Sequence, residues 1–168
     1  MKKLVFGIVL VAIATVAFAS CAQLCPTDDF EVEYVGGGRS LRITNYVGDN
    51  RDVRIPPRIR GLPVTHIGEV AFQGRTLASV MIPRSVIYIE YAAFADNQLT
   101  SITIPSSVTI IWHLAFAHNQ LTNITIPNSV TYIGHNAFWG NPLTTVTIPM
   151  LTQLGYYVFN PEVIIIHR

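Results

Sequence analysis

Residues 77–142 read, in lines of twenty-two, as LASVMIPRSVIYIEYAAFADNQ, LTSITIPSSVTIIWHLAFAHNQ and LTNITIPNSVTYIGHNAFWGNP. A fourth line opens at Leu143 as LTTVTIPMLTQLGYYVF and is one residue shorter before its aromatic. Upstream, residues 53–76, VRIPPRIRGLPVTHIGEVAFQGRT, are the same unit with five extra residues between Ile-Pro and Ala-Phe. A fixed period of this length is the signature of a solenoid, in which each unit buries its apolar side only against its neighbours.

The unit Leu99–Gln120 shows how one turn closes. In LTSITIP, Ile102 and Ile104 share one face and Ser101 and Thr103 the other, because a strand alternates. Val80/Ile82, Ile124/Ile126 and Val146/Ile148 repeat the inward pair. Stacked turns are therefore expected to form a parallel sheet with strands ~4.8 Å apart, each buried aliphatic stabilising by roughly 1.5–3 kcal/mol. Pro83, Pro105, Pro127 and Pro149 end this strand, since proline has no N–H for the ladder. A second short strand follows with Val108 and Ile111 inward, matched by Val86/Ile89 and Val130/Ile133. Phe72, Phe94, Phe116, Phe138 and Phe159 are then expected to stack on the opposite side of the coil. Asn97, Asn119 and Asn141 recur at one corner, where an amide satisfies backbone groups that the sheets leave unpaired. Their role is structural.

Working outward, residues 1–20 join a lysine pair to an apolar run, Leu4–Phe18, and read as a secretory signal peptide. Ala17-Phe18-Ala19 fits a cleavage site that frees a secreted protein. Phe18-Ala19-Ser20-Cys21 also resembles a bacterial lipoprotein box, although Phe18 departs from the usual aliphatic residue. We read Cys21 as the lipidated residue, which anchors the chain to a membrane without a spanning helix. Cys21 and Cys25 can instead close a small disulfide of little stabilising effect. Residues 21–29 read as a polar tether. Within 30–50, FEVEYV and LRITNYV flank Gly36–Gly38 and predict a β-hairpin that caps the solenoid of residues 51–159. In the final segment, 160–168, Val163–Ile166 are apolar at consecutive positions, which predicts a strand buried on both faces and acting as a lid. Uncovered, it is an aggregation-prone edge.

Charge narrows the partner. Beyond Cys21 there is no lysine, and nine arginines face ten carboxylates. No Asp, Glu, Lys or Arg occurs between Asp96 and Glu162, so the clustered cations that nucleic acid requires are missing from most of the coil. Arg51, Arg54, Arg58 and Arg60 form the most basic stretch, read as a solvated cap pairing with Asp49 and Asp52 rather than as a site for sulfated glycans or acidic proteins.

The repeated units resemble the BspA-type, or treponemal-type, leucine-rich repeats of bacterial surface proteins, and the longer opening unit IPPRIRGLPVTHIGEVAF is similar to that family's first repeat. The resemblance covers about residues 49–159. It implies a β-rich leucine-rich-repeat solenoid, formally α/β, with about five stacked repeats and two parallel sheets between an N-terminal β cap and a C-terminal strand lid. It also implies a curved, exported, non-catalytic protein that binds other proteins, often host matrix or partner cells. Gly68, Gly134 and Gly155 keep the family's glycine after the second strand. Glu90 and Trp112 replace it, and a locally widened turn is expected there.

No catalytic motif is recognisable: there is no phosphate-binding glycine loop, no G-x-S-x-G and no H-E-x-x-H. His113 and His135 share a position on adjacent turns, with no carboxylate to complete a metal site, and no cofactor is expected. Candidate binding residues are therefore outward-facing. On the first strand they are Ser79, Met81, Ser101, Thr103, Asn123, Thr125, Thr145 and Thr147, expected to form a smooth uncharged face. On the second-strand side and its turn, His66, Tyr88, Tyr91, Trp112, His113, Tyr132, His135, Tyr156 and Tyr157 supply contact area with polar handles. Tyr88, Tyr132 and above all Trp112 are the candidates there. The favoured reading is an adhesin-like lipoprotein at the bacterial cell surface that engages a host, matrix or partner-cell protein. Self-association of a structural solenoid is the alternative, and ice binding by the threonines a remote third.

Overall fold

The computed structural model describes residues 24–168. The signal peptide and Cys21 lie outside the described residues. A hairpin opens the structure, β1 (Phe30–Val35) antiparallel to β2 (Ser40–Tyr46), turning through Gly36–Gly38 at positive φ. Then come β3 (Asp52–Arg54), β4 (Arg58–Ile59), β5 (Leu62–Ile67), β6 (Ser79–Met81) and β7 (Tyr88–Ile89). The chain continues with β8 (Ile110–Ile111), β9 (Tyr132–Ile133), β10 (Thr145–Ile148), β11 (Gln153–Leu154) and β12 (Ile164–His167). These elements wind a β-solenoid of about six turns, one more than the repeat count suggests, because β12 is the opening strand of a further turn.

Its three sides are held differently. The second strands form an unbroken ladder, β5-β7-β8-β9-β11 in parallel register, and the hairpin extends it through β2. The Ala-Phe turns form a second ladder: the N–H groups of Phe72, Phe94 and Phe116 donate to the carbonyls of Ala93, Ala115 and Ala137 at 2.8–2.9 Å. Here seven rings stand in one column, Phe30, Tyr46, Phe72, Phe94, Phe116, Phe138 and Phe159, with successive centroids 5.0–5.5 Å apart. The repeat foretells five of these rings. The cap supplies the other two, so it is joined to the core by the same packing that joins the turns.

The first strands do not form the expected continuous sheet. β3 pairs with β6 and β10 with β12, while Ser101–Ile104 lie outside any strand and Thr125 makes only a single bridge to Thr147. Two sides tied at ladder spacing and a third left open place the open side at the outside of a bend. Inward burial persists: Ile104, Ile124 and Ile126 are buried, and only Ile102 is half-buried.

Tight corners explain the length of the unit. Val70, Ala92, Leu114, Asn136 and Tyr157, each two residues before the stacked Phe, adopt φ of 49–59°. Most residue types disfavour this region, and here the paired ladders on either side hold it. Asn97, Asn119 and Asn141 are buried at the corner after the Phe, as expected, and each bonds the preceding turn.

Two terminal expectations need correction. Residues 25–29 are not a free tether: Cys25 is buried, its N–H donates to the Arg54 carbonyl at 3.1 Å, and the Arg54 N–H points to its sulfur at 3.3 Å. β12 is not buried on both faces, since Ile164, Ile165 and Ile166 are 63, 39 and 49% exposed. Consecutive apolar residues match a strand between two layers, but on its far side β12 has no described neighbour. In the basic stretch, Arg51 bonds the Thr76 carbonyl and Gln98, and Arg58 the Gly61 carbonyl, while Asp52 takes the Ser79 hydroxyl. Arg51 and Arg58 thus bond backbone carbonyls and a glutamine side chain.

Candidate binding surface

The continuous ladder sets side chains on its outer face in register: His66, Tyr88, Ile110, Tyr132 and Gln153 lie side by side on successive strands. The next positions in each turn bring a second row alongside. Together they build a connected cluster. Trp112 meets Tyr132 edge-on at 5.8 Å and His113 at 6.0 Å. His113 lies edge-on to His135 at 4.6 Å, and His135 stacks on Tyr156 at 5.0 Å. Polar contacts orient the rings. The Tyr132 hydroxyl is 3.4 Å from His113 Nε2, and the Tyr156 N–H donates to His135 Nδ1 at 2.7 Å. That bond makes His135 Nδ1 an acceptor and leaves the proton on Nε2 in the neutral ring.

The glycine position explains why Trp112 projects. A Cβ at Gly134 would meet the His113 backbone nitrogen at 2.5 Å, and one at Gly155 the His135 nitrogen at 2.6 Å. Yet the ladder passes through Glu90 and Trp112 at 2.9 and 2.8 Å, as it does through Gly134 and Gly155 at 2.8 Å. The hydrogen-bond ladder is therefore not widened at the two substituted turns, contrary to expectation. Trp112 is 41% exposed. With Arg42, Glu69, Glu90 and Tyr91 it lines an open groove of about 320 Å³. Arg42 closes the inner wall, its Nε donating to Glu90 at 2.9 Å and its Nη1 pairing with Glu33.

The remaining candidates fall elsewhere. Tyr88 stacks with His66 at 4.7 Å. Ser79 and Met81 stand in a groove beside Asp52 and Arg54. Thr103, Asn123 and Thr125 line a groove of about 380 Å³ where the first-strand sheet is open, with Arg168 at one end. Thr145 and Thr147 lie beside Ile164 and Ile166, and Ser101 is exposed. The eleven candidates are thus divided between two sides of the coil, and only Trp112 and Tyr132 belong to the ring cluster. Its other members, His113, His135 and Tyr156, are spaced one repeat apart in the sequence, which is the signal by which they are found. Among the described residues no group of three or more metal-binding side chains occurs.

Burial first, and then the neighbouring His135, lower the pKa of His113; burial and then Arg42 lower that of His66. A base held below its usual value binds fewer protons folded than unfolded. Stability is then retained above the ordinary histidine range and falls as pH drops through it. The thermal midpoint is expected to decline as pH falls below about 6.5, and His113→Gln to flatten the decline. An unchanged pH profile in that variant would refute the assignment.

With the geometry in hand, comparison with known proteins is direct. The family model described as the BspA type leucine rich repeat region matches residues 58–164 in six copies. The chain belongs to this family. Among solved structures, a leucine-rich repeat protein from Bacteroides capillosus has TM-score 0.62 and 31% identity, over 70% of this chain and 92% of that one. The T. pallidum leucine rich repeat protein TpLRR has TM-score 0.61 and 20% identity over 86% of both chains. The pneumococcal vaccine antigen PcpA has TM-score 0.60 and 19% identity, over 80% of this chain and 38% of that one. The last two likenesses bear on fold alone. Comparison with curated protein sequences returns no match. The repeat fold is consistent with protein interaction, and the family is generally non-catalytic.

Proposed function

We propose that this BspA-type protein is a non-catalytic, exported surface protein that captures a protein partner through the ring cluster around Trp112. The cluster sits on the side of the coil whose ladder is continuous, so its aromatics are held rigidly and association need order little. Between Asp96 and Glu162 the sequence has no formal charge, so the rings from that stretch are desolvated without stripping an ion of their own of water. The charges beside Trp112 are Arg42, Glu69 and Glu90 in its groove, of which Arg42 and Glu90 are already paired. The family membership and the apolar N-terminal run with Cys21 support export and lipid anchoring. No helix among the described residues is long and apolar enough to cross a membrane. Ice binding draws no support from the structure, because the first-strand face that carries the threonines is interrupted.

Binding of the purified chain to immobilised extracellular-matrix proteins tests the proposal. Trp112→Ala is expected to weaken binding by about tenfold or more, the loss typical of an exposed aromatic anchor. Thr103→Ala, on the other side of the coil, should leave it unchanged. Equal binding by wild type and Trp112→Ala would remove the cluster from the site.

A further inference from the structure

The ring cluster carries no formal charge, but the groove beside Trp112 does. Arg42, Glu69, Glu90, Tyr91 and Trp112 line it, and Arg42 is shared between Glu90 and Glu33. Three carboxylates are thus set against one guanidinium, a surplus of two negative charges. The repeat brings this set together. Glu69 and Tyr91 occupy the position that His113 and His135 fill on later turns, and the Val70 N–H, donating to the Tyr91 carbonyl at 2.9 Å, ties their turns together. In the neighbouring row Gly68 leaves room for the Arg42 stem: a Cβ there would meet Arg42 Cγ and Cδ at 3.0 Å. Arg42 crosses this gap to reach Glu90, the residue one turn before Trp112.

We infer that the groove takes a basic side chain, arginine or lysine, projecting from the captured protein, an inference that rests on the ring cluster being the capture site. Charge complementarity selects this occupant. Glu69 is exposed and has no hydrogen bond or ion pair among the described residues, whereas Glu90 is already paired. An apolar side chain would desolvate Glu69 without giving it a partner. An anion would meet the surplus of carboxylates, and Arg42 is already engaged by two of them. A hard dication needs about six oxygen ligands, and among the described residues no group of three or more metal-binding side chains occurs. The rings favour the same occupant. Tyr91 and Trp112 are 44 and 41% exposed, and Tyr91 has no ring partner among the described residues. An aromatic face attracts a cation through its quadrupole, while the stem of arginine or lysine packs on the ring as an apolar chain.

The chain has two tryptophans, Trp112 and Trp139, so the indole N–H signals of the isotope-labelled protein read the groove directly, and Trp112→Phe assigns them. Nα-acetylarginine amide and Nα-acetyllysine amide are the probes, with Nα-acetylcitrulline amide as the neutral isostere. Both basic amides are expected to move the Trp112 signal saturably in the millimolar range, the citrulline amide to leave it in place, and Trp139 to stay unmoved by all three. Added salt should weaken the binding. Glu69→Gln, at an exposed and unpaired position, should weaken it about threefold. No saturable movement, equal movement by the citrulline amide, or equal affinity in Glu69→Gln would each overturn the inference. Matrix binding separates this result from the capture reading. If Trp112→Ala lowers matrix binding and Glu69→Gln does not, the cluster remains the capture site and the basic side chain is overturned. Equal matrix binding by wild type and Trp112→Ala, with the basic amides bound as expected, would instead remove the capture reading and leave the chemistry of the groove standing.

Discussion

Phe116→Ala is expected to lower the free energy of unfolding by about 3–5 kcal/mol, the cost of emptying a fully enclosed aromatic site. Phe116 stands inside the ring column, 5.3 Å from Phe94 and 5.3 Å from Phe138, with interplanar angles of 11° and 7°. Its position matters as much as its size. In a solenoid each turn is stabilised mainly by contact with the next, and Phe116 is the contact between the cap-bearing half and the half that ends in β12. The ladders on either side hold the turns at fixed spacing, so the site cannot collapse to fill the gap. Removing the ring should therefore uncouple the halves as well as destabilise both. Urea unfolding followed by tryptophan emission reports the C-terminal half, where Trp112 and Trp139 lie, and far-ultraviolet dichroism reports the whole. The two transitions should separate in the variant, a departure from two-state behaviour. Phe159→Ala, with a ring neighbour on one side only, should cost less and leave the transitions coincident. A Phe116→Ala protein within about 1 kcal/mol of wild type would show that the column does not couple the turns.

The column was legible in the sequence because it rests on identity and period alone. A phenylalanine every twenty-two residues has nowhere to go but onto its neighbours. The same logic recovered the inward aliphatics and the asparagine corner. It failed where the outcome depends on distance between turns. Ile102 and Ile104 alternate as well as Val80 and Ile82 do, but no residue states that the outer side of the bend is too wide for a ladder. It failed again at the left-handed corner. Val70, Ala92 and Leu114 belong to types that avoid positive φ, and only Asn136 hints at it. The four isoleucine and valine side chains of Val163–Ile166 matched a doubly covered strand because pattern reports what a strand is suited to, not whether a neighbour is present. As for the site, the positions of Trp112 and Tyr132 were readable from the repeat. That His113 and His135 meet on adjacent turns follows from their shared repeat position, whereas the contacts of Trp112 with Tyr132 and of His135 with Tyr156, each about one repeat apart, required the parallel register.

Asn119→Ala is expected to be nearly as damaging as loss of the ring, although it removes fewer atoms. The side chain is buried, and its four contacts all go to backbone. Oδ1 accepts from the Leu99 N–H at 3.1 Å, while Nδ2 donates to the carbonyls of Phe94 at 2.9 Å, Phe116 at 3.2 Å and Ala117 at 3.3 Å. Alanine strands these groups in a dry corner. At about 1–3 kcal/mol for each buried group left without a partner, and with some carbonyls keeping a second bond, a total of about 3–5 kcal/mol follows, roughly a 10 °C fall in melting temperature for a chain of this size. Asn119→Asp separates the two halves of the amide. The aspartate keeps an acceptor for Leu99 but turns a carboxylate toward three carbonyl oxygens, so the folded state favours its protonated form. The pKa of that carboxyl should rise on folding, the folded state then binds more protons than the unfolded one, and stability must increase as pH falls toward about 4. Relative to wild type at each pH, Asn119→Asp should thus recover in acid while Asn119→Ala does not. Asn160→Ala is the control, since at the end of the row its amide meets one backbone carbonyl at 3.2 Å and one N–H at 2.8 Å in a more open setting. If it proved as costly as Asn119→Ala, or if the aspartate variant failed to recover in acid, the buried amide would not be what satisfies the corner.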